Sequence, residues 1–319
     1  MIEILSSAAA NSVQDLGRPG HLHLGLCAGG AMDVAALRLG NLLLDNPACA
    51  AGLEIALFPF RLKFLVDCQF ALTGADGPAT LDERTLYPSW RFQARAGQVL
   101  SLAPPTRGAR SYLTFAGGIE VETVLGSRAT DLKTGFGGFH GRGLRKGDRL
   151  PLGTAPASRD KELGAALPRF LGERGGVVPV RITPGAEWAL LDDASRQALL
   201  HQQWSVTPDS NRMGMRLKGE ALALREPLEM LSHGILPGTV QVPPAGQPII
   251  QLVDANTCGG YPKIAHVIEA DLPTLAQAPI GACLGFVLVD AAQAEQAQRL
   301  AEQELEPIAR ALQLQRRYS

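Results

Sequence analysis

The sequence predicts a mainly β protein with a minor helical part, and three observations support this class. Short apolar or β-branched runs recur along the chain, separated by Gly, Pro or Asp, as antiparallel barrels and sandwiches require. The 35 glycines and 22 prolines are about 18% of the 319 residues, against roughly 12% in an ordinary chain. Helical periodicity is limited to a few segments and does not alternate with the strands, which disfavours a doubly wound parallel sheet.

The predicted strands are short and occur in both halves of the chain. They cover residues 2–5, 53–57, 62–66, 70–73, 99–103, 111–115, 177–183, 239–242, 248–253 and 283–289. A helix is expected near 32–45, where apolar residues form a helical stripe and Asp33 is suited to be the N-cap. A second helix is predicted over 290–312 with an interruption at Pro307, and a weaker one over 188–201.

The chain is longer than one small core usually requires, so we expect two domains. The N-terminal domain is predicted over 1–155 and contains the helix near 32–45. The C-terminal domain is predicted over 177–319 and contains the terminal helix. Residues 156–176 are predicted to be a linker, because this stretch is polar and holds few large apolar residues.

Charge and cysteine usage exclude several classes of protein. The 30 Lys and Arg residues nearly balance the 31 Asp and Glu residues, which leaves no basic surplus for nucleic acid. The five cysteines are odd in number and widely spaced, so we expect small buried thiols in a reducing compartment. No signal peptide is visible, and prolines interrupt the uncharged runs 234–253 and 272–289. We therefore expect a cytoplasmic protein without a membrane span.

Common catalytic and metal-binding motifs are missing from the sequence. It contains no phosphate-binding loop of the P-loop type, no G-x-S-x-G and no H-E-x-x-H. His21 and His23 form the one close histidine pair. Because no third ligand lies near them in the sequence, we predict no metal site.

Four segments are richer in polar residues and glycine than a plain β barrel requires, and the first covers 13–20 and 29–33. Within it, Asp15 and Arg18 are candidates for binding a polar substrate, and Asp33 is a third candidate. A salt-bridged turn, and a helix cap at Asp33, would explain the same residues equally well.

The second segment, residues 126–147, holds seven glycines and five basic residues. Converging backbone N–H groups and Arg or Lys side chains are suited to binding phosphate or carboxylate. We therefore predict an anion site that involves Arg128, Asp131 and Lys133. A solvated loop is the alternative, but we favour function because the polar residues at 127–131 lie between apolar residues.

The third and fourth segments lie in the second half of the chain. Asn211 and Arg212 would form either a carboxylate clamp or a stabilised turn. Residues 238–262 place polar side chains in or beside apolar strands, where they need a ligand or a neighbouring loop as partner. The candidate binding residues there are Gln241, Gln251, Asp254 and Tyr261.

These four segments together resemble one protein family. The matching stretches are VQDLGRPG, GGAMD, YLTFAGGIEVETVLGSRATDLKTGFGG, GRGLRKGD, SNRMGMRLKG and GTVQVPPAGQPIIQLVDANTCGGYPKI. The chain is identified on them as a member of the allophanate hydrolase subunit 2 family, also called the biotin-dependent carboxyltransferase family, KipA or the 5-oxoprolinase C subunit. It departs from the family pattern at residues 26–29 and 255–258.

The resemblance implies tandem cyclophilin-like β-barrel domains with a C-terminal helix. It also implies two protein partners, a KipI-like B-type subunit, and an A-type subunit of the LamB/YcsF kind. The implied function is that of the C subunit of an ATP-dependent 5-oxoprolinase, which hydrolyses 5-oxo-L-proline to L-glutamate.

Residue roles follow from that implied function. Arg18, Lys133 and Arg212 would bind carboxylate or phosphoryl oxygens, as would Arg128, which we also count among the catalytic residues. Asp131 and Asp254 would position water or accept a proton.

Two other functions agree with the same resemblance. The first is the carboxyltransferase component of a biotin-dependent urea or amide carboxylase. Biotin would then be carried on another chain, because no lysine here follows a methionine. The second is a KipA-like module that binds a KipI-type kinase inhibitor and catalyses nothing.

Overall fold

The computed structural model describes residues 1–155, 162–165, 167, 172–226, 228 and 230–317. The chain divides into two compact units. Unit 1 comprises residues 1–18, 29–169 and 304–319, and unit 2 comprises residues 19–28 and 170–303.

Unit 1 is built from short antiparallel strands. They are β1 (Ile2–Ser6), β2 (Ser12–Gln14), β3 (Gly52–Ile55), β4 (Phe60–Phe64), β5 (Cys68–Asp76), β6 (Ala79–Leu81), β7 (Arg84–Leu86), β8 (Trp90–Ala94), β9 (Val99–Leu102), β10 (Arg107–Phe115), β11 (Arg149–Leu150) and β12 (Leu163–Gly164). One six-stranded sheet has the order β11-β1-β4-β9-β6-β7, and the other has the order β12-β8-β5-β10-β3-β2. The buried side chains of both sheets form one apolar cluster.

Helix α1 (Val34–Leu43) begins where the sequence predicts it. The Asp33 carboxylate accepts a hydrogen bond from the Ala36 N–H at 3.0 Å, so Asp33 is the N-cap. Gly40 lets this helix approach the sheet closely, since a Cβ there would lie 2.6 Å from Oγ1 of Thr114.

Unit 2 contains the remaining strands and three of the helices among the described residues. The strands are β13 (Val177–Pro184), β14 (Trp204–Val206), β15 (Gly214–Lys218), β16 (His233–Gly234), β17 (Thr239–Gln241), β18 (Ile249–Gln251), β19 (Cys258–Gly259), β20 (Lys263–Val267) and β21 (Cys283–Leu288). The helices are α2 (Asp193–His201), α3 (Leu272–Ala276) and α4 (Ala291–Gln303). Seven strands close a barrel in the order β13-β20-β17-β18-β15-β14-β21, and β16 pairs with β19 in a separate ribbon.

The predicted mainly β class is confirmed, and every predicted strand is present. The two units differ in how their strands close. Unit 2 has the closed barrel, whereas the strands of unit 1 pair into two sheets.

The observed units depart from the predicted domain boundaries in three places. Residues 19–28 group with unit 2, although the prediction put them in the first domain. Within the predicted linker, β12 pairs with β8, so part of that segment belongs to a sheet of unit 1. Residues 156–161, 166 and 168–171 of the linker lie outside the described residues.

The third departure concerns helix α5 (Glu306–Arg317), which belongs to unit 1 and not to the C-terminal domain. The predicted helix 290–312 is divided between α4 and α5, and Pro307 is the second residue of α5. Proline is tolerated in a first helical turn because the N–H it lacks would have no partner there. Leu312 is 7% exposed and packs in a cluster with Leu39 and Leu43 of α1.

The cysteines differ from expectation. Cys49 and Cys258 are exposed and the other three are partly exposed, so the prediction of buried thiols is wrong. Burial nevertheless raises the pKa of Cys68 to about 12. None of the described helices is both long and apolar enough to cross a bilayer.

The assignment of α5 to unit 1 predicts a stability difference between two neighbouring leucines. Leu312→Ala should lower the free energy of unfolding of unit 1 by about 2–4 kcal/mol, because it leaves a cavity against α1. Leu314 is 54% exposed, and Leu314→Ala should change it by less than about 0.5 kcal/mol. Urea denaturation followed by circular dichroism measures both. Equal effects would show that α5 does not contribute to this core.

Candidate functional site

The predicted site residues divide between the two units, six in each. Those in unit 1 are Asp15, Arg18, Asp33, Arg128, Asp131 and Lys133. Those in unit 2 are Asn211, Arg212, Gln241, Gln251, Asp254 and Tyr261.

An open cleft of about 430 Å³ lies in unit 1 beside the glycine-rich segment. We call it the glycine cleft. The residues that line it are Glu120, Val121, Glu122, Val124, Gly135, Phe136, Gly137, Gly138, Phe139, His140, Gly141 and Pro151.

The wall of this cleft needs glycine for steric reasons. Gly138 has φ 54°, and a Cβ there would lie 1.8 Å from Oγ1 of Thr130. A Cβ at Gly137 would lie 2.3 Å from the carbonyl oxygen of Ala129. The loop therefore packs directly on the backbone at 129–130, where any side chain would prevent the contact.

Asp15 holds this region together. Its Oδ1 accepts hydrogen bonds from the Gly17 N–H at 2.8 Å and the Ser127 hydroxyl at 2.6 Å. Its Oδ2 accepts the Arg128 N–H at 2.6 Å. The carboxylate is buried, so it ties residue 15 to the loop at 127–128 and does not face a substrate.

Arg18 is 1% exposed and lies behind the glycine cleft. Its Nη2 donates a hydrogen bond to the carbonyl of Ala129, and its guanidinium carbon lies 4.7 Å from the centre of the Phe136 ring. Its Nε and Nη1 have no hydrogen-bond acceptor among the residues that the structure describes. The salt-bridged turn considered for Asp15 and Arg18 is therefore not what these two residues form.

Arg128 lies at the edge of the cleft. Its Nη2 lies 2.6 Å from Oε1 of Glu120, and its Nε donates to the carbonyl of Val121 at 2.9 Å. Both partners line the cleft. The Arg128 side chain therefore positions one rim of the cleft, and its charge is balanced by Glu120.

Asp131 stabilises the turn that leads into the glycine loop. Its Oδ1 accepts the N–H groups of Lys133 and Thr134 at 2.9 and 3.0 Å. Asp131 is buried, whereas Lys133 is exposed.

Asp33 is buried as the N-cap of α1. Arg18, by contrast, lies beside the cleft with two guanidinium nitrogens that have no acceptor among the described residues.

In unit 2, Arg212 and Asp254 form a buried ion pair. Nε of Arg212 donates to Oδ2 of Asp254 at 2.7 Å, and Nη2 donates to Oδ1 at 3.1 Å. Both side chains are less than a tenth exposed. Asn211 is exposed and its Oδ1 accepts the Met213 N–H at 2.8 Å, which is the stabilised turn of the two predicted alternatives.

Gln241 and Gln251 are joined by a hydrogen bond between their side-chain amides. Nε2 of Gln251 donates to Oε1 of Gln241 at 2.9 Å, and Nε2 of Gln241 donates to the carbonyl of Tyr261 at 3.2 Å. A Cβ at Gly259 would lie 2.7 Å from Nε2 of Gln241. The ribbon of β16 and β19 thus covers Gln241, while the Tyr261 side chain is about half exposed.

Sequence reasoning missed a buried polar network beneath α1. Oε2 of Glu54 accepts the Tyr112 hydroxyl and the Met32 N–H, both at 2.8 Å, and the Tyr112 oxygen accepts the Asp33 N–H at 2.7 Å. Burial, with the nearby charges of Glu54 and Asp33, holds the pKa of Tyr112 well above its ordinary value. A charged residue inside an apolar strand, as in Leu53-Glu54-Ile55, was the available signal.

No described group of three or more His, Cys, Asp and Glu side chains is arranged to hold a metal ion.

Comparison with known proteins gives the family. Residues 24–288 match the model of the carboxyltransferase domain, subdomain A and B. The chain belongs to this family. The predicted resemblance is thereby confirmed.

Two bacterial relatives cover almost the same length as this chain. It is 45% identical over 303 residues to the 5-oxoprolinase C subunit of Escherichia coli, covering 94% of this chain and 96% of the relative. It is 41% identical over 310 residues to the protein of the same name from Haemophilus influenzae, covering 97% and 98%.

A solved structure places the same fold inside a larger enzyme. The urea amidolyase of Kluyveromyces lactis superposes with a TM-score of 0.88 at 27% identity, covering 96% of this chain and 20% of that one. The chain thus corresponds to about a fifth of that structure.

The close packing of the glycine loop predicts different effects for two Gly→Ala variants. Gly126 and Gly138 both have positive φ, so alanine is strained at each by about 1–2 kcal/mol. A Cβ at Gly126 has no atom within 4 Å. Gly138→Ala should therefore lower the free energy of unfolding by about 1–3 kcal/mol more than Gly126→Ala, as measured by urea denaturation. Equal losses would contradict the packing described.

The buried phenol predicts a pH dependence of stability. Because the pKa of Tyr112 in the folded state lies above the unfolded value of about 10, the unfolded chain releases this proton first, and stability falls as pH rises through about 10. Tyr112→Phe should remove up to about 1.4 kcal/mol per pH unit of this alkaline loss. Denaturation series from pH 8 to 11 measure the slopes.

The matched control is Tyr87→Phe, since Tyr87 is 64% exposed. This variant retains Tyr112 and should keep the wild-type slope. If Tyr112→Phe loses stability at alkaline pH as steeply as the wild type, Tyr112 is not the group responsible.

Proposed function

We propose that this chain is the C subunit of an ATP-dependent 5-oxoprolinase complex, which hydrolyses 5-oxo-L-proline to L-glutamate. The observation that carries the proposal is the 45% identity to the Escherichia coli 5-oxoprolinase C subunit over nearly the whole of both chains. The alignment includes almost all of that protein, so its role in 5-oxoprolinase does not depend on a part that this chain lacks.

The chemistry of the substrate sets what the complex must do. A lactam is stabilised by resonance, so its carbonyl carbon reacts poorly with water, and ATP provides the driving force for ring opening. The substrate also carries a carboxylate that a protein can bind through a guanidinium group.

The glycine cleft does not fit a nucleoside triphosphate. Its lining includes the carboxylates of Glu120 and Glu122, and the charge of Arg128 at its rim is already balanced by Glu120. The Glu122 carboxylate would repel a polyphosphate, and the single charge of Arg18 behind the lining would not balance it. We therefore assign ATP binding to another protein of the complex.

We assign substrate binding, and not proton transfer, to this chain. Asp131 and Asp254 are buried, and each is held by hydrogen bonds from the turn or the ion pair described above. A general base must reach the proton that it removes. In this proposal a KipI-like B-type partner or a LamB/YcsF-type partner supplies the base, and the complex acts in the cytoplasm.

The runner-up is a carboxyltransferase component that acts with carboxybiotin on a urea-like amide. The observation that favours it is the TM-score of 0.88 with the Kluyveromyces lactis urea amidolyase. The 27% identity of that match, compared with 45% for the 5-oxoprolinase relative, is why we place it second.

One experiment separates the two reactions. The chain is reconstituted with its A-type and B-type partners and supplied with 5-oxo-L-proline and ATP. We expect glutamate and ADP to be released together, with no dependence on bicarbonate and no inhibition by avidin. The chain alone should release no glutamate, because the base and the nucleotide site lie on the partner proteins.

Two results would contradict this proposal. Carboxylation that requires bicarbonate and is blocked by avidin would establish the carboxyltransferase. Glutamate release by the isolated chain would show that it carries the catalytic base itself.

A further inference from the structure

Arg18 is a buried cation whose charge no described carboxylate balances. Its Nη2 donates to one backbone carbonyl and Phe136 covers one face, while Nε and Nη1 are buried without an acceptor in the described part of the chain. A guanidinium removed from water in this way is costly unless another group accepts its hydrogen bonds.

Other arginines in the chain show the usual solution. Arg142 stacks on Phe139 of the same glycine loop at 5.7 Å, but it also donates to both oxygens of Asp148 at 2.8 Å. Arg212 forms the corresponding double contact with Asp254. Arg18 has the same stacked arrangement as Arg142 without the carboxylate.

The guanidinium lies directly behind the glycine cleft. Phe136, on which it stacks, and Gly137 both line the cleft. A Cβ at Gly137 would lie 2.8 Å from Nη2 of Arg18. Because glycine has no Cβ, the loop backbone can lie next to this cation. Arg18 thus contacts the cleft lining at two of its residues, Phe136 and Gly137.

We propose that Arg18 binds the carboxylate of the cyclic-amide substrate, which enters from the glycine cleft past Phe136 and Gly137. This inference rests on the proposed function for the identity of the substrate. Since Arg18 is 1% exposed, the loop at these two residues must move when the carboxylate binds.

The charges around the cleft select a carboxylate over a phosphoryl group. Arg18 supplies one positive charge, the Glu120 carboxylate is paired with Arg128, and Glu122 in the lining adds negative charge. A single guanidinium matches a monoanionic carboxylate in charge and in geometry. A phosphate dianion would leave one charge unbalanced.

Three probes of different charge test the proposal on the full-length chain by titration calorimetry. They are 5-oxo-L-proline, the uncharged lactam 2-pyrrolidinone, and inorganic phosphate. The wild type should bind 5-oxo-L-proline more tightly than either other probe. Arg18→Met should bind it roughly 10- to 100-fold more weakly and should no longer distinguish it from 2-pyrrolidinone.

Two further variants control for structural effects. Arg142→Met removes a stacked arginine from the same loop, and it should leave the affinity for 5-oxo-L-proline within about two-fold, because Arg142 is already paired. Arg18→Lys keeps the buried charge, so it should fold even if Arg18→Met does not. It should still bind about 10-fold more weakly, since lysine cannot make a bidentate contact.

The outcomes separate this inference from the proposed function. A folded Arg18 variant that binds 5-oxo-L-proline as the wild type does would overturn the inference. A wild type that binds phosphate more tightly than 5-oxo-L-proline would also overturn it. So would a wild type that binds 2-pyrrolidinone as tightly as 5-oxo-L-proline. Arg18-dependent binding in a chain whose reconstituted complex releases no glutamate would support the inference and contradict the proposed function.

Discussion

The hydrogen bonds of the Asp15 carboxylate are the interaction on which the glycine cleft depends. They join the turn at residue 17 to the loop at 127–128. Next to them, the Thr130 N–H donates to the carbonyl of Val13, and the Ala31 N–H donates to that of Asp15. Three segments distant in sequence are thus held together by one buried anion and its neighbouring backbone. The glycine loop packs on the surface that they form.

The fold was largely predictable wherever the signal is local. The start of α1 follows from Asp33 and the apolar stripe after it, and the longer strands follow from apolar runs bounded by glycine and proline. The three-residue strands β2 and β6 were missed, because a period of two cannot be recognised over so few positions. The five-residue strands β8, β15 and β20 were also missed, because polar or charged residues interrupt their apolar residues. The membership of α5 in unit 1 was also missed, since it depends on which apolar surface Leu312 meets.

The site was less predictable than the fold because residue type does not reveal what a side chain contacts. Asp15, Asp131 and Asp254 look alike in sequence as candidate carboxylates. In the structure two bind backbone N–H groups and the third binds a guanidinium. Arg212 and Arg18 differ in the same way, since one has a carboxylate partner and the other has donors left over. These differences arise from contacts between residues far apart in the chain.

The division of the chain between the units has a consequence for its biosynthesis. Residues 19–28 leave the ribosome within unit 1 but belong to unit 2, and α5 is made after all of unit 2 but belongs to unit 1. Neither unit is a continuous stretch of the chain, and unit 1 cannot finish folding until unit 2 has been translated. The apolar surface of α1 that receives Leu312 therefore stays uncovered by that helix until α5 has been synthesised, after the whole of unit 2. Transiently exposed apolar surfaces of this kind bind chaperones and promote aggregation. The order of synthesis therefore creates a risk of aggregation during folding that is absent once α5 has packed.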